Sequence, residues 1–247
     1  MKLHVTQVGG CQRLLWHAFM KHKRLPPHIL AVRGILSHAV IERALKDQAP
    51  NDVLDVAYPS LLKDSKRDND KTVTREAYDY AIREAMPCLK NFDTWTSRTI
   101  VDIESYLSEK TLEVQLGFHT LSGTPDLYTE GSILDFKTGK PRMSEDYKRQ
   151  LGGYKYMLEK LHMGSPQEGI LVFLGGEFRS DKSVKILNPN EMVEARDKFE
   201  DALIKDIDFI EGMEEARAKG YGEIPQGQCK FGIKCAFCSY RDKCNGF

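Results

Sequence analysis

Two acids and a lysine stand close together in Gly123-Thr-Pro-Asp126 and Leu134-Asp135-Phe136-Lys137-Thr-Gly139. Between them Glu130-Gly131 supplies a turn. Ser132 to Lys137 is a short apolar-rich run that ends at Thr138-Gly-Lys-Pro141. The pattern predicts a β-hairpin, opened by the turn residues Ser122-Gly-Thr-Pro, with Asp126 starting one strand and Asp135 and Lys137 on the other. Side chains alternate faces along a strand, so Asp135 and Lys137 point the same way, and Asp126 can reach the same spot from its partner strand. Two carboxylates suit a hard divalent cation, and an ammonium beside them places positive charge next to a group under attack. These are the requirements of metal-assisted phosphodiester hydrolysis.

Other residues could complete such a centre. Gly34-Ile-Leu-Ser-His38 lies on an expected helix, and His38 would add an imidazole ligand, which suits Mn2+ and other transition ions better than Mg2+. Glu42 follows one turn later and could orient it. The plainer reading of His38 is a core or surface histidine, and of Glu42 a surface charge. In Gln150-Leu-Gly-Gly-Tyr154, Gln150 and Tyr154 are four apart and share a helix face, from which they could meet a phosphate or Lys137.

The chain has six cysteines, and Cys229, Cys235, Cys238 and Cys244 crowd its end. Four such thiolates could close a zinc site; three with a distant fourth could hold an iron–sulfur cluster. A signal-peptide core and an apolar run of membrane-spanning length are both missing from the sequence, so we expect a cytoplasmic chain with no membrane partner. There, cysteines serve more often as ligands or thiols than as disulfides.

Length and composition suit one soluble domain: 247 residues, 41% hydrophobic and 29% charged. With 36 basic and 36 acidic residues the net charge is zero, so any nucleic-acid footprint must be local. Lys21-His-Lys-Arg24 and Lys148-Arg149 are candidate pieces, or simply solvated helix faces. Helices are expected over residues 7–24, stopped by Pro26-Pro27, and over 32–47, with Ile35, Leu36, Ala39, Val40 and Leu45 inward. A polar loop over 48–71 leads to a helix over 72–91, with Pro87 a candidate break. Strands are expected over 99–104 and 111–118, then the carboxylate hairpin and a helix over 144–162. A buried central strand over 169–174, an edge strand over 183–187 and a long helix from Pro189 to about Ala218 follow. We expect a single α/β domain over 1–247, with a helical insertion over 48–98 and a cysteine-rich tail over 229–247.

Taken together, the motifs resemble the RecB-like branch of the PD-(D/E)XK nuclease superfamily. Gly34/His38, Gly123/Asp126, Asp135/Lys137-Thr-Gly and Gln150/Tyr154 occur in that family's order, and they are specific as a set. The cysteines are similar to those of its iron–sulfur members, the AddB-type recombination nucleases and CRISPR-associated adaptation exonucleases. Those carry one cysteine before the motifs and Cys-x-x-Cys-x5-Cys after them, matched here by Cys11 and by Cys235, Cys238 and Cys244.

The resemblance implies a restriction-endonuclease-like core, a mixed central sheet flanked by helices. It implies Mg2+ or Mn2+ on His38, Asp126, Asp135 and the Phe136 carbonyl, with Lys137, Gln150 and Tyr154 as active-site partners. It also implies a [4Fe–4S] cluster on Cys11, Cys235, Cys238 and Cys244; Zn2+ on Cys229, Cys235, Cys238 and Cys244 is the alternative. The implied activity is exonucleolytic cutting of DNA that is single-stranded or has free ends. The sequence has no phosphate-binding helicase loop, so a helicase, recombination or adaptation partner would be a separate protein. The rival readings are a zinc-stabilised endonuclease or junction resolvase, and a non-catalytic DNA-binding subunit of a repair or recombination complex.

Overall fold

The protein is described here by a computed structural model, in which residues 1–12, 14–16, 29–45, 75–98, 106–108 and 110–219 can be described. The Pro26-Pro27 stop, the Lys21–Arg24 run, the polar loop over 48–71, the strand expected over 99–104 and Cys229, Cys235, Cys238 and Cys244 lie outside these residues.

Two mixed sheets form the centre. In chain order, the strands are β1 (Lys2–His4), β2 (Leu107–Ser108), β3 (Leu112–Leu116), β4 (His119–Gly123), β5 (Leu127–Tyr128), β6 (Ser132–Lys137), β7 (Glu168–Phe173) and β8 (Val184–Leu187). The helices are α1 (Ile29–Leu45), α2 (Arg75–Thr96), α3 (Glu145–Lys160), the single turn α4 (Ser180–Ser183) and α5 (Pro189–Ala218). The larger sheet runs β2-β5-β6-β7-β8, and the smaller runs β1-β4-β3. β6 and β7 pair in parallel, Ser132 against Glu168 through Lys137 against Phe173, with α3 as the crossover between them.

The period-two pattern of β6 divides the core. Leu134 and Phe136, with Val172 and Leu174, face a cluster built from Ile41 on α1 and Cys88, Phe92 and Trp95 on α2. Ile133, with Leu171 and Phe173, faces α3 and α5 through Leu151, Tyr154, Met157 and Phe199. Both faces are covered, which is why β6 and β7 read as nearly continuous apolar runs. Asp135 and Lys137 alternate with Phe136 and so fall on the α3 side.

Helix ends follow their capping chemistry. Ser144 Oγ accepts the Tyr147 N–H at 3.3 Å, so α3 begins at Glu145. Asn188 accepts from Asn190 and Glu191 while Glu191 reaches back to the Asn188 N–H, a reciprocal box that opens α5 at Pro189.

Several expectations need correction. α2 passes through Pro87 without breaking and continues to Thr96. A proline inside a helix costs about 3 kcal/mol. Here Ala81, Ala85, Cys88, Phe92 and Trp95 form one buried stripe that outweighs it. Ile35 was expected to face inward but is 46% exposed, while the next residue, Leu36, is buried. Ser122 and Gly123 are not turn residues: they end β4, where Leu3 and His4 of β1 pair beside them. Of residues 7–24, positions 12 and 14–16 are α-helical among those described, and Gln7 ends a 3-10 turn over Val5–Gln7.

Candidate active site

Asp126, Asp135, Lys137, His38 and Gln150 converge at the end of the β5–β6 hairpin. β5 pairs with β6 through Leu127 opposite Leu134 and Tyr128 opposite Ile133. One step further in that register brings Asp126 opposite Asp135. Beyond β5 the ladder is continued by a side chain: Asp126 Oδ2 accepts the buried Phe136 N–H at 2.6 Å. The N–H and C=O of one extended residue leave by the same strand edge, so the Phe136 carbonyl also opens toward Asp126. Its ring is held edge-on by Phe92 at 5.4 Å and Trp95 at 5.3 Å, which fixes this piece of backbone from behind.

Helix α1 brings His38 to the hairpin, its Nδ1 3.1 Å from Asp126 Oδ1. Burial acts to lower the His38 pKa. The hydrogen bond and charge of Asp126, with the charge of Asp135, outweigh that and push it up to about 9. Glu42 is half-buried one turn further on, whereas this bond runs to Asp126. Gly34 faces the strand end without crowding: a Cβ there would lie 3.9 Å from Thr138 Oγ1, an ordinary contact.

Lys137 Nζ lies 2.5 Å from Asp135 Oδ2 and donates to Gln150 Oε1 at 2.7 Å. The other end of the same amide, Gln150 Nε2, donates to Asp135 Oδ1 at 3.2 Å and to Tyr154 Oη at 2.9 Å. Tyr154 Oη in turn donates to the Thr124 carbonyl at 3.0 Å. The amide orientation is dictated by its neighbours, since a flipped amide would aim its NH2 at the ammonium. Gln150 therefore reaches Lys137, one of the two contacts its position on the helix face allowed. Tyr154 is 2% exposed and acts on Gln150 rather than on anything in solvent. Its ring packs close under Gly123, where a Cβ would come within 3.0 Å of Tyr154 Cε1. The motif glycine is thus a close-approach position.

Asp135 is 2% exposed. Burial raises its pKa; Lys137 opposes that shift, and the nearby Asp126 charge adds to it. Although Lys137 lies beside Oδ2 as an ion pair, that oxygen is buried without a well-angled hydrogen bond.

Among the described residues, no three His, Cys, Asp or Glu side chains are gathered as metal ligands. His38 and Asp126 are turned to each other, and Asp135 to Lys137 and Gln150. The donor set nevertheless fits a hard divalent cation: two carboxylates, a carbonyl edge, an imidazole and one buried carboxylate oxygen lacking a hydrogen bond.

Tyr147, which the motif reading missed, also stands here, with Lys137 Nζ 4.7 Å from its ring centroid. It lies three residues before Gln150 and seven before Tyr154 on the same helix face, a spacing that could have revealed it. Of the cysteines outside the tail, Cys11 is half-exposed, and Cys88 is buried with Sγ 3.8 Å from the Thr138 carbonyl. Gly9, two residues before Cys11, donates its N–H to the buried Asp206 of α5 at 2.7 Å.

Known proteins resemble this chain in fold more than in sequence. No curated protein matches it. A solved Eubacterium rectale protein described as a "putative exonuclease" superposes with a TM-score of 0.55 at 11% identity, covering 100% of this chain and 94% of its own. A second solved protein, SSO0001, covers 99% of this chain and 86% of its own at 13% identity, with a TM-score of 0.40. The first likeness extends to the fold alone. The sequence itself carries the family: residues 13–245, a span that includes the hairpin, His38 and Gln150, match the PD-(D/E)XK nuclease superfamily model, and the chain belongs to that superfamily.

Proposed function

We propose that the protein is a metal-dependent deoxyribonuclease that hydrolyses phosphodiester bonds of single-stranded DNA from free ends. Its ligands for Mg2+ or Mn2+ would be His38, Asp126, Asp135 and the Phe136 carbonyl. The observation that carries the reading is the buried Asp135 carboxylate. One oxygen is held by Gln150; the other lacks a hydrogen bond and sits beside the Lys137 ammonium and across the hairpin from Asp126. Superfamily membership supports a nuclease, and PD-(D/E)XK nucleases generally use these ions. A bound divalent cation would activate a water and offset the charge that grows on the phosphate.

The chain's own side chains do the rest. Lys137 presents a full positive charge 13% exposed at the mouth of the site, placed to meet an attacking water or the scissile phosphate. Gln150 ties Lys137 to Asp135 through the two ends of one amide, so neither rotates independently. Tyr154 holds that amide in place by linking it to the Thr124 carbonyl. End-directed cutting is the reading that His38 favours, by its likeness to the RecB-like nucleases.

The same likeness supports a [4Fe–4S] cluster on Cys11, Cys235, Cys238 and Cys244. Asp206 pins the backbone leading to Cys11 against α5, the helix that leads into the tail. Zinc on Cys229, Cys235, Cys238 and Cys244 is the second reading, and iron and sulfide analysis of anaerobically purified protein separates them. DNA is the partner this reading requires; a helicase or recombination partner would supply any motor.

The test uses labelled single-stranded DNA, linear or circular, with Mn2+, Mg2+ or EDTA. Metal-dependent loss of the linear strand alone is expected. Equal cutting of the circle would replace the exonuclease with an endonuclease, and no cutting of either would favour a non-catalytic DNA-binding subunit.

A further inference from the structure

We infer that Tyr147 is a positioning residue for Lys137, the aromatic wall that holds the ammonium when Asp135 engages a cation. The inference rests on the nuclease reading above.

Among the described residues, Lys137 Nζ meets Gln150 Oε1 at 2.7 Å, Asp135 Oδ2 at 2.5 Å and the Tyr147 ring, with its centroid at 4.7 Å. An aromatic face attracts a cation within about 6 Å of its centroid. The three contacts are not equivalent. Asp135 Oδ2, the oxygen beside Lys137, is also the buried oxygen without a hydrogen bond. Lys137 and a divalent cation therefore compete for one atom. Gln150 is shared as well, because its other end binds Asp135. Of these three, Tyr147 is the contact that neither is a carboxylate nor is hydrogen-bonded to Asp135. It can keep the ammonium in place while leaving its charge uncompensated, which is what a charged transition state requires.

The ring is built to stay put. The Tyr147 N–H is bound in the first turn of α3 by Ser144 Oγ at 3.3 Å and the Ser144 carbonyl at 3.0 Å. Its ring rests on Phe173 with centroids 5.9 Å apart at 60°. Phe173 is the β7 partner of Lys137 in the parallel register, so strand pairing places the wall beside the lysine. Tyr147 thus extends the Gln150–Tyr154 face by one turn, and its ring, not its hydroxyl, makes the contact.

The test compares full-length wild type with Tyr147→Phe, which keeps the ring, and Tyr147→Leu, which keeps only apolar bulk against Phe173. With Mn2+ and single-stranded DNA, Tyr147→Leu should lower kcat roughly tenfold, the scale of a partly desolvated cation–π contact, with KM little changed. Tyr147→Phe should restore it. In metal-free protein labelled at lysine 13Cε, the Lys137 resonance, assigned by its loss in Lys137→Met, should be ring-shifted in wild type and Tyr147→Phe and return to the ordinary position in Tyr147→Leu. Tyr147→Met carries the same expectations should the Leu variant not fold. An unmoved Lys137 resonance, an unchanged kcat, or a loss confined to KM would overturn the inference. A wild type that cuts no DNA would overturn the nuclease reading instead, while the metal-free resonance would still decide the contact.

Discussion

Asp126 Oδ2 accepts the Phe136 N–H at 2.6 Å, standing where a strand neighbour would stand had β5 been longer. One carboxylate thus both completes the sheet and faces the proposed metal site.

The two roles separate by substitution. Asp126→Ala leaves the buried Phe136 N–H without an acceptor, at about 1–3 kcal/mol. For a chain of this size each kcal/mol lowers Tm by about 2–4 °C. Asp126→Asn keeps an acceptor and loses the charge. Both variants should lose DNA cleavage and the charged pairing with His38, but the alanine, which also strands the Phe136 N–H, should lower Tm further. Calorimetry of the two decides it, and equal Tm values would contradict the structural role.

His38 makes stability depend on pH. Its folded pKa of about 9 exceeds the ordinary value of 6.5, so its contribution is complete below pH 6.5 and fades as pH rises through 9. The imidazole is 33% exposed, which moderates the effect by solvent screening. In metal-free protein, the urea-midpoint advantage of wild type over His38→Ala should be largest near pH 6 and shrink as pH rises from 6.5 to about 9. A difference constant across that range would contradict the His38–Asp126 pairing.

Gln150 acts on two charges at once. Gln150→Leu keeps the shape of the side chain but removes the acceptor for Lys137 and the donor to Asp135 and Tyr154, leaving the Lys137–Asp135 ion pair without its bridging amide. A lost hydrogen bond to a charged group is worth about 1.5–3 kcal/mol, so kcat should fall by about 10- to 100-fold. Tyr154→Phe, which removes only the remote hydroxyl, should cost far less. Steady-state kinetics on one DNA substrate measures both, and a larger loss in Tyr154→Phe would reverse the assigned order.

The legible parts of the fold are those written in local chemistry. Ser144 and Asn188-Pro189 mark helix starts by capping, and Gly169 to Leu174 marks a buried strand by continuous apolarity. The hairpin was legible because Glu130-Gly131 is a turn and alternation puts Asp135 and Lys137 on one face. Long-range effects were not legible. Pro87 lies inside an unbroken helix because Phe92 and Trp95 pack on Phe136, a contact that no local propensity encodes. The strand Lys2–His4 is three residues long and exists only by pairing with β4, over a hundred residues away. Tyr147 was overlooked because its partner is a lysine on another element, although its spacing from Gln150 was visible.

Asp135 tests the whole account most directly. Linear single-stranded DNA should be degraded by wild type with Mn2+ and not with EDTA. Asp135→Ala should abolish degradation while its Tm stays close to that of wild type, because the lost carboxylate leaves Lys137 still held by Gln150 and Tyr147. Undiminished metal-dependent cutting by folded Asp135→Ala would contradict the assignment of this hairpin as the cutting centre.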